Sequence, residues 1–283
     1  MDFHDFARAH GLVIRDLVHG KICRCPTENK AGKRNGAFYF DNDFGWVQDW
    51  SVHSEIQIWK SDKVLTESEL SEQKKRMEAS KKAYVKLRHQ KQAIAADKAT
   101  WILGQTELDR HAYLEKKGFI DAVGNVWKRP EQDPLLVVPM FYQGKMCGVQ
   151  MIGSTGEKKF LAGQRCSDAI FQIGKGKDIF LVEGYASGLS LQAILGALKR
   201  QYSIMVTFSA GNMAKVAKAH PDAFIIADHD ESGVGQAVAA ASGCKWWMPP
   251  TAGTDINDFH SEVGTFKASQ VLRKALQSSV GAV

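Results

Sequence analysis

The sequence reads IFLVEGYASGLSL at residues 179–191 and AFIIADHDESGVG at residues 223–235. In each segment a short, unbroken apolar run is followed at once by an acidic residue and then by glycine-containing sequence. Unbroken apolar runs of this length are typical of strands that are buried on both faces of a sheet. The two segments therefore predict two inner strands of a parallel sheet, each followed by a loop that carries an acid.

The remainder of residues 176–283 continues this alternation. Further apolar runs occupy 204–208 and 245–248, and helices are predicted over 186–198, 212–219, 233–242 and 265–277. Strands and helices that alternate at this spacing imply right-handed crossovers and a parallel sheet covered by helices. Residues 176–283 are therefore predicted to form an α/β domain.

Acidic residues follow the predicted strands at one edge of this sheet, where the ligands of open parallel sheets gather. They are Glu183, Asp228, Asp230, Asp255 and Asp258. Crowded carboxylates repel one another and raise one another's pKa, and a divalent cation removes that cost. Hard oxygen ligands suit Mg²⁺ or Mn²⁺. A helix N-cap is the competing interpretation for a single aspartate at a strand end, and above all for Asp230.

Three regions precede the α/β domain. Residues 1–60 mix aromatic and β-branched runs with turns, which predicts a small β-rich module. Residues 61–100 are dense in helix formers and predict a charged helical linker. Within it, residues 66–98 carry nine Lys or Arg against five acids, which favours a solvated helix over a nucleic-acid contact. Residues 101–175 combine one helical segment with short strands and predict a basic α+β subdomain.

The bulk properties are those of a globular protein that folds in water. The sequence has 283 residues, a net charge of +6 and no run of eighteen apolar residues, so neither a membrane span nor a secretion signal is expected. A cytoplasmic location is the expectation. The five cysteines are scattered rather than arranged as a disulfide framework, and reduced thiols are expected.

The order and spacing of LVEGYASGLSL, IIADHD and GTDINDFH resemble the TOPRIM domain of phage and plasmid DNA primases, and more distantly that of bacterial replicative primases. Upstream, HAYLEKKG, LLVVPM, GVQMI and GEKKFLAG resemble the subdomain that precedes TOPRIM in such primases. The resemblance covers about residues 105–262. It implies a Rossmann-like TOPRIM sheet in which Glu183 is the catalytic glutamate, Asp228 and Asp230 hold metal, and Asp255 and Asp258 occupy the later acidic positions.

The function that the resemblance implies is synthesis of short primers on single-stranded DNA from nucleoside triphosphates, with Mg²⁺ or Mn²⁺. A TOPRIM nuclease and a catalytically silent nucleic-acid-binding replication protein remain alternatives. A TOPRIM topoisomerase would need a large DNA-gate domain, for which the length leaves little room. The sequence contains no P-loop, so we expect either a separate helicase partner or a fragment of a primase-helicase.

Basic residues are candidates for binding nucleotide or DNA. Lys158 and Lys159 open the predicted short strand KKFLAG of the α+β subdomain, and Arg165 comes shortly after it. Lys33 and Arg34 lie among the aromatic residues of the first module, with Lys30 nearby. Cations interleaved with aromatic rings suit single-stranded DNA, although a solvated basic surface is an equally good interpretation of the charges. Ser187 departs from the bacterial pattern, which has an aspartate four residues after the glutamate, and leaves a second metal position in doubt.

Purified protein should contain no stoichiometric zinc. Zinc sites normally combine two pairs of Cys or His ligands at short spacing, whereas residues 1–60 offer one such cysteine pair, Cys23 and Cys25, with His19 four residues before it, His53 far downstream, and His4 and His10 near the start. Elemental analysis of the purified chain should therefore find far less than one zinc per molecule. A value near one zinc per chain would show that the first module is built on a metal.

Overall fold

The computed structural model describes residues 1–29, 31, 32, 34–49, 56–63 and 65–277, which cluster into two compact units, Met1–Gln90 and Lys91–Val283. Three residues named above, Lys30, Lys33 and His53, lie outside the described residues, as does Trp50 of the first module. Across the described part of the chain, no helix has both the length and the apolar character that crossing a membrane requires.

The first unit is built on a small antiparallel sheet, as the sequence predicts. Its strands are β1 (Ile22–Cys25), β2 (Gly36–Asp41), β3 (Phe44–Asp49) and β4 (Gln57–Lys60), paired in that order. A short helix, α1 (Phe3–Ala9), precedes them and was not predicted. It begins at Asp2, whose carboxylate accepts a hydrogen bond from Asp5 N at 2.8 Å.

Aromatic side chains form the core of this unit. Phe3 of α1 stacks on Phe40 with ring centroids 4.9 Å apart and meets the edge of Trp59 at 5.6 Å. Phe38 and Tyr39 are buried, whereas Phe40 and Trp46 are half-buried. Most of the rings that could have stacked on DNA therefore serve the core or its margin.

A long helix, α2 (Glu67–Gly104), follows the sheet and agrees with the predicted linker helix. A capping box fixes its start, because Thr66 N donates to Glu69 Oε2 at 2.8 Å and Glu69 N donates to Thr66 Oγ1 at 3.4 Å. The last turns of α2 belong to the second unit, where Ala99 and Ile102 are buried against Val137 and Val149. That contact explains why the last turns of an otherwise exposed helix are apolar.

The second unit begins with an antiparallel sheet in the order of the chain. Its elements are β5 (Glu107–Asp109), α3 (Ala112–Lys116), β6 (Gly124–Arg129), β7 (Gln132–Tyr142), β8 (Lys145–Ile152) and β9 (Lys158–Phe160). One face of this sheet packs on the end of α2. The other face, with Leu136, Val138 and Ile152, packs on Tyr185 and Ala186.

A mostly parallel sheet completes the unit, so the fold is mixed α/β. Its elements are β10 (Phe171–Ile173), β11 (Asp178–Val182), α4 (Tyr185–Ala197), β12 (Tyr202–Val206), α5 (Ala210–Ala219), β13 (Phe224–Ile226), α6 (Val234–Ala241), β14 (Lys245–Trp247) and α7 (Ile256–Gln277). The strand order is β10-β12-β11-β13-β14, and every pair is parallel except β10 with β12. The predicted parallel strands are confirmed.

Two features of this sheet differ from the sequence prediction. Phe171–Ile173, placed by the sequence in the α+β region, hydrogen-bonds to β12 as an antiparallel edge strand. The last helix begins at Ile256 rather than near Thr265, and it is interrupted at Gly264, where φ is +76°. Only glycine adopts that backbone conformation without strain, so the glycine allows one continuous segment to turn and pack twice on the sheet.

Candidate active site

Neighbouring strands carry the candidate acids to one edge of the parallel sheet. β11 and β13 are paired with Phe180 opposite Phe224, Glu183 follows β11 directly, and Asp228 lies two residues after β13. The ladder continues past the strand ends, because Phe208 N donates to the Glu183 carbonyl at 2.9 Å. The backbone around Glu183 is therefore fixed by its neighbouring strand.

His229 joins the two acidic loops that follow β13 and β14. Its N–H donates to the Thr254 carbonyl at 3.0 Å, and its own carbonyl accepts from Gly253 N at 2.6 Å. Its ring Nδ1 lies 2.9 Å from the Pro249 carbonyl. These contacts hold Asp228 beside the loop that carries Asp255. The sequence analysis missed this residue, because a histidine between two aspartates gives no sign that it bonds through its backbone.

Glu183 is half-buried, and its carboxylate accepts a hydrogen bond from Ala210 N at the start of α5. Burial raises the pKa of the Glu183 carboxyl above its ordinary value. The positive charge of Lys158 opposes this shift, and the negative charge of Asp230 adds to it. The carboxylate is thus positioned by a backbone donor and lies in the field of both a cation and a second acid.

Asp228 carries the most strongly perturbed carboxyl of the site. Its Oδ1 is buried and, among the described residues, has no hydrogen-bond partner. Burial first, and then the charges of Asp255, Glu183 and Asp230, raise the pKa of Asp228 to about 7, although the charge of Lys158 opposes the shift. A buried carboxylate oxygen without a donor is costly, so this position favours either a proton or a cation.

Asp230 closes a turn before α6 but does not cap the helix. Its Oδ1 accepts hydrogen bonds from Ser232 Oγ at 2.8 Å and Gly233 N at 3.0 Å. The N-cap of α6 is Gly233, which offers no side-chain capping hydrogen bond. The charge of Asp230 acts on Glu183 and Asp228, so this aspartate belongs to the acidic cluster.

Asp255 and Asp258 form a reciprocal cap at the start of α7. Asp258 N donates to Asp255 Oδ1 at 2.9 Å, and Asp255 N donates to Asp258 Oδ2 at 3.1 Å. Asp258 also pairs with Lys117, with Nζ and Oδ1 3.4 Å apart. The charge of Asp255 raises the pKa of Asp228, together with the charges of Glu183 and Asp230. The structure therefore groups Glu183, Asp228, Asp230 and Asp255, and turns Asp258 toward Lys117.

The register of β8 and β9 separates the two candidate lysines. Lys158 pairs with Ile152 and Lys159 with Met151, and adjacent residues of a strand point to opposite faces. Lys158 therefore shares the face of Ile152, which packs on α4. A Cβ added to Gly184 would lie 4.0 Å from Lys158 Nζ. Lys158 is the lysine beside the acids, and Lys159 lies on the opposite face.

Two of the remaining basic candidates, Arg165 and Arg34, have surroundings of their own. The Arg165 guanidinium lies 3.5 Å from the centroid of the Tyr142 ring, with Nη2 3.4 Å from Asp168 Oδ2. Arg34 is exposed in the first unit, where its carbonyl accepts from the Arg24 guanidinium at 2.6 Å. Lys33 is outside the described residues.

A buried polar network behind the cluster was not predicted. Asn257 Nδ2 donates to Ser190 Oγ at 3.0 Å and to the Lys117 carbonyl at 2.9 Å. The ring of His260 lies 3.0 Å from Ser190 Oγ and 2.8 Å from Thr265 Oγ1, and burial lowers the pKa of His260. The network fixes α7 against α4 and so fixes the Asp255 end of the helix.

The cluster is not a finished metal cage. Within the described residues, no three His, Cys, Asp or Glu side chains form a group that could hold a metal ion. Mg²⁺ commonly binds through one or two carboxylates and takes its other ligands from water and substrate phosphates. The unpartnered Asp228 Oδ1 and its acidic neighbours fit that kind of cation.

Comparisons with known proteins do not assign a function to these residues. No protein-family model matches the sequence, and no curated protein matches it. Among solved structures, the fold is similar to a DNA primase domain from Pseudomonas aeruginosa, with a TM-score of 0.35 and 14% sequence identity. The similarity covers 62% of this chain and 62% of that chain. A TM-score this low does not establish a shared arrangement of elements.

Replacing Asp228 by Asn should stabilise the metal-free protein in a pH-dependent way. The folded-state pKa is about 7 and the ordinary value is 3.8, so the ionised carboxylate destabilises the fold fully above pH 7 and not at all below pH 4. The gain should be on the order of 1–3 kcal/mol at pH 8, which is a rise of roughly 2–10 °C in melting temperature. Thermal unfolding in EDTA at pH 8 and pH 4 measures it.

Asp222→Asn is the matched control for this comparison, because Asp222 is an exposed aspartate in the turn before β13. It should leave the melting temperature nearly unchanged at both pH values. Equal shifts in melting temperature from the two substitutions at pH 8 would contradict a raised pKa of Asp228. So would a shift for Asp228→Asn that does not depend on pH.

Proposed function

We propose that this chain is a TOPRIM DNA primase of the phage or plasmid type, which makes short primers on single-stranded DNA by metal-dependent nucleotidyl transfer. One observation carries the proposal: the buried, unpartnered Oδ1 of Asp228 lies in the field of Glu183, Asp230 and Asp255 and faces the charge of Lys158. A cluster of acids at the carboxyl edge of a parallel sheet, with a cation opposite, suits the transfer of a phosphoryl group.

Asp228 and Asp230 would hold Mg²⁺ or Mn²⁺, with Glu183 and Asp255 as further carboxylates of the site. A divalent cation bound there would neutralise substrate phosphates and lower the pKa of the attacking 3′-hydroxyl. Asp258, the fifth acid, would act on the shape of the site, since it caps α7 and pairs with Lys117.

Glu183 and Lys158 supply the rest of the chemistry in this proposal. The new bond joins a 3′-oxygen to the α-phosphorus of a nucleotide, and the bond to the leaving pyrophosphate breaks. Glu183, held by Ala210 N and with a raised pKa, would accept the hydroxyl proton or act as a metal ligand. Lys158 lies beside Gly184 and would hold the negative charge that develops on the phosphates.

The proposed partners follow from the same reaction. Single-stranded DNA is the template, nucleoside triphosphates are the substrates, and a separate replicative helicase would open the duplex. The basic candidates outside the cluster, Lys159, Arg165 and Arg34, are proposed contacts for the template backbone, because phosphates attract cations wherever these are solvent-accessible.

Primer synthesis should depend on the acids that follow β11 and on those that follow β13. Asp228→Asn with Asp230→Asn, and separately Glu183→Gln, should each lower synthesis by ~100-fold or more, because a charge needed in the transition state is lost while side-chain volume is kept. Labelled nucleotides, single-stranded DNA and Mg²⁺ or Mn²⁺ provide the assay. Asp222→Asn should retain full activity.

The same assay separates the alternatives. A TOPRIM nuclease would cut the template in an acid-dependent way and make no primers, and a silent binding protein would do neither. Primer synthesis by the Asn pair at the wild-type rate, or no synthesis by the wild-type protein with either metal, would overturn the proposal.

A further inference from the structure

The first unit contains a second concave site, far along the sequence from the acids. A groove of about 740 Å³ lies between the small sheet and α2. Its size is within the range of small-molecule sites in proteins. The residues that line it come from β1, β2 and α2 and include Ile22, Asp41, Arg76, Ala83, Tyr84 and Leu87.

Small side chains on one face of α2 create the space. The lining positions Arg76, Ala79, Ala83 and Leu87 recur every three or four residues, so they lie on one face of the helix. The two alanines are exposed and leave room where longer side chains would meet the sheet. Tyr84 adds an aromatic ring to the wall.

Asp41 gives this groove a polar anchor. It is only 5% exposed. Its Oδ2 forms an ion pair with Arg76, whose Nε lies 3.1 Å away, and accepts a hydrogen bond from the Tyr39 hydroxyl at 3.4 Å. Both contacts reach the same carboxylate oxygen. A strong acceptor and a cationic donor therefore stand side by side among apolar walls.

Cationic and protonatable groups also line the groove. His19 and Lys21 are exposed at one side of it, and Arg76 is about half exposed on the helix. With Asp41 as the one acid of the lining, the site carries a positive charge at neutral pH. A ligand that fits has flat apolar faces, an edge that both donates and accepts hydrogen bonds, and a negative charge.

We propose that this groove binds a nucleotide, with its base against Tyr84 and its phosphate toward Lys21, and that it prefers guanine. Guanine offers two adjacent N–H donors for the Asp41 carboxylate and a carbonyl acceptor for Arg76. The other bases lack that pair of donors beside an acceptor. The inference stands on the first unit alone and holds whether or not the acids of the second unit make primers.

Calorimetric titration of the full chain in EDTA tests the site with GMP, AMP, CMP and UMP as ligands. Using the Asp228→Asn, Asp230→Asn chain in parallel separates this site from the acidic cluster. GMP should bind more tightly than the other three. A single-stranded trinucleotide with a central deoxyguanosine distinguishes two natural ligands. Tighter binding of the trinucleotide than of GMP indicates that the groove takes a guanine within a DNA strand. Equal binding indicates that it takes a free guanine nucleotide.

Two pairs of variants make the test specific. Tyr84→Leu should weaken GMP binding roughly tenfold or more through loss of stacking, and Tyr84→Phe should restore it. Ala83→Leu fills the groove and should weaken binding strongly, whereas Ala93→Leu, at an exposed alanine of the same helix outside the groove, should not. Absence of binding by both GMP and the trinucleotide, or equal affinity of wild type, Tyr84→Leu and Ala83→Leu, would overturn the inference.

Discussion

The burial of the Asp228 carboxylate among other acids is the constraint on which the rest of the second unit depends. A carboxylate oxygen that is buried and lacks a donor, with three further acids acting on it, is unstable unless the surrounding backbone is fixed. Folding tolerates such a position at a functional site when neighbouring elements hold it in place. A proton or a cation that neutralises the Asp228 carboxylate would recover the folding free energy that this buried charge costs.

The fold holds the acids in place from several directions. The β11–β12 ladder continues through the Glu183 carbonyl, the His229 backbone joins the two acidic loops, and the reciprocal cap of Asp255 and Asp258 fixes the start of α7. The antiparallel sheet contributes the opposing charge, because its Ile152 face packs on α4 and carries Lys158 toward Glu183. The cluster therefore needs both sheets of the second unit, and neither would form it alone.

The sequence predicted those parts of the fold that follow from burial. Inner strands need unbroken apolar runs, so β11, β12 and β13 could be predicted. The edge strand β14 could be predicted from its own apolar run, and with these strands the edge on which their acids fall. Phe171–Ile173 is too short and too polar at Gln172 to be recognised as a strand. The helix α1 was missed because the aromatic residues of the first module favoured a prediction of strands. The start of α7 was missed because the N-cap interpretation was weighed for single aspartates, whereas Asp255 and Asp258 cap the helix as a reciprocal pair. Which of Lys158 and Lys159 faces the acids depends on strand register, which a lysine pair alone does not reveal.

The most direct test of the acidic cluster is the ionisation of Asp228 itself, followed by carbon NMR of the labelled carboxyl group as pH is varied with and without Mg²⁺. Without metal the pKa should be about 7, and Mg²⁺ should lower it markedly, since a bound cation favours the charged form. An ordinary aspartate pKa in the metal-free protein, or a raised pKa that Mg²⁺ leaves unchanged, would contradict the account of a cation site at this edge of the sheet.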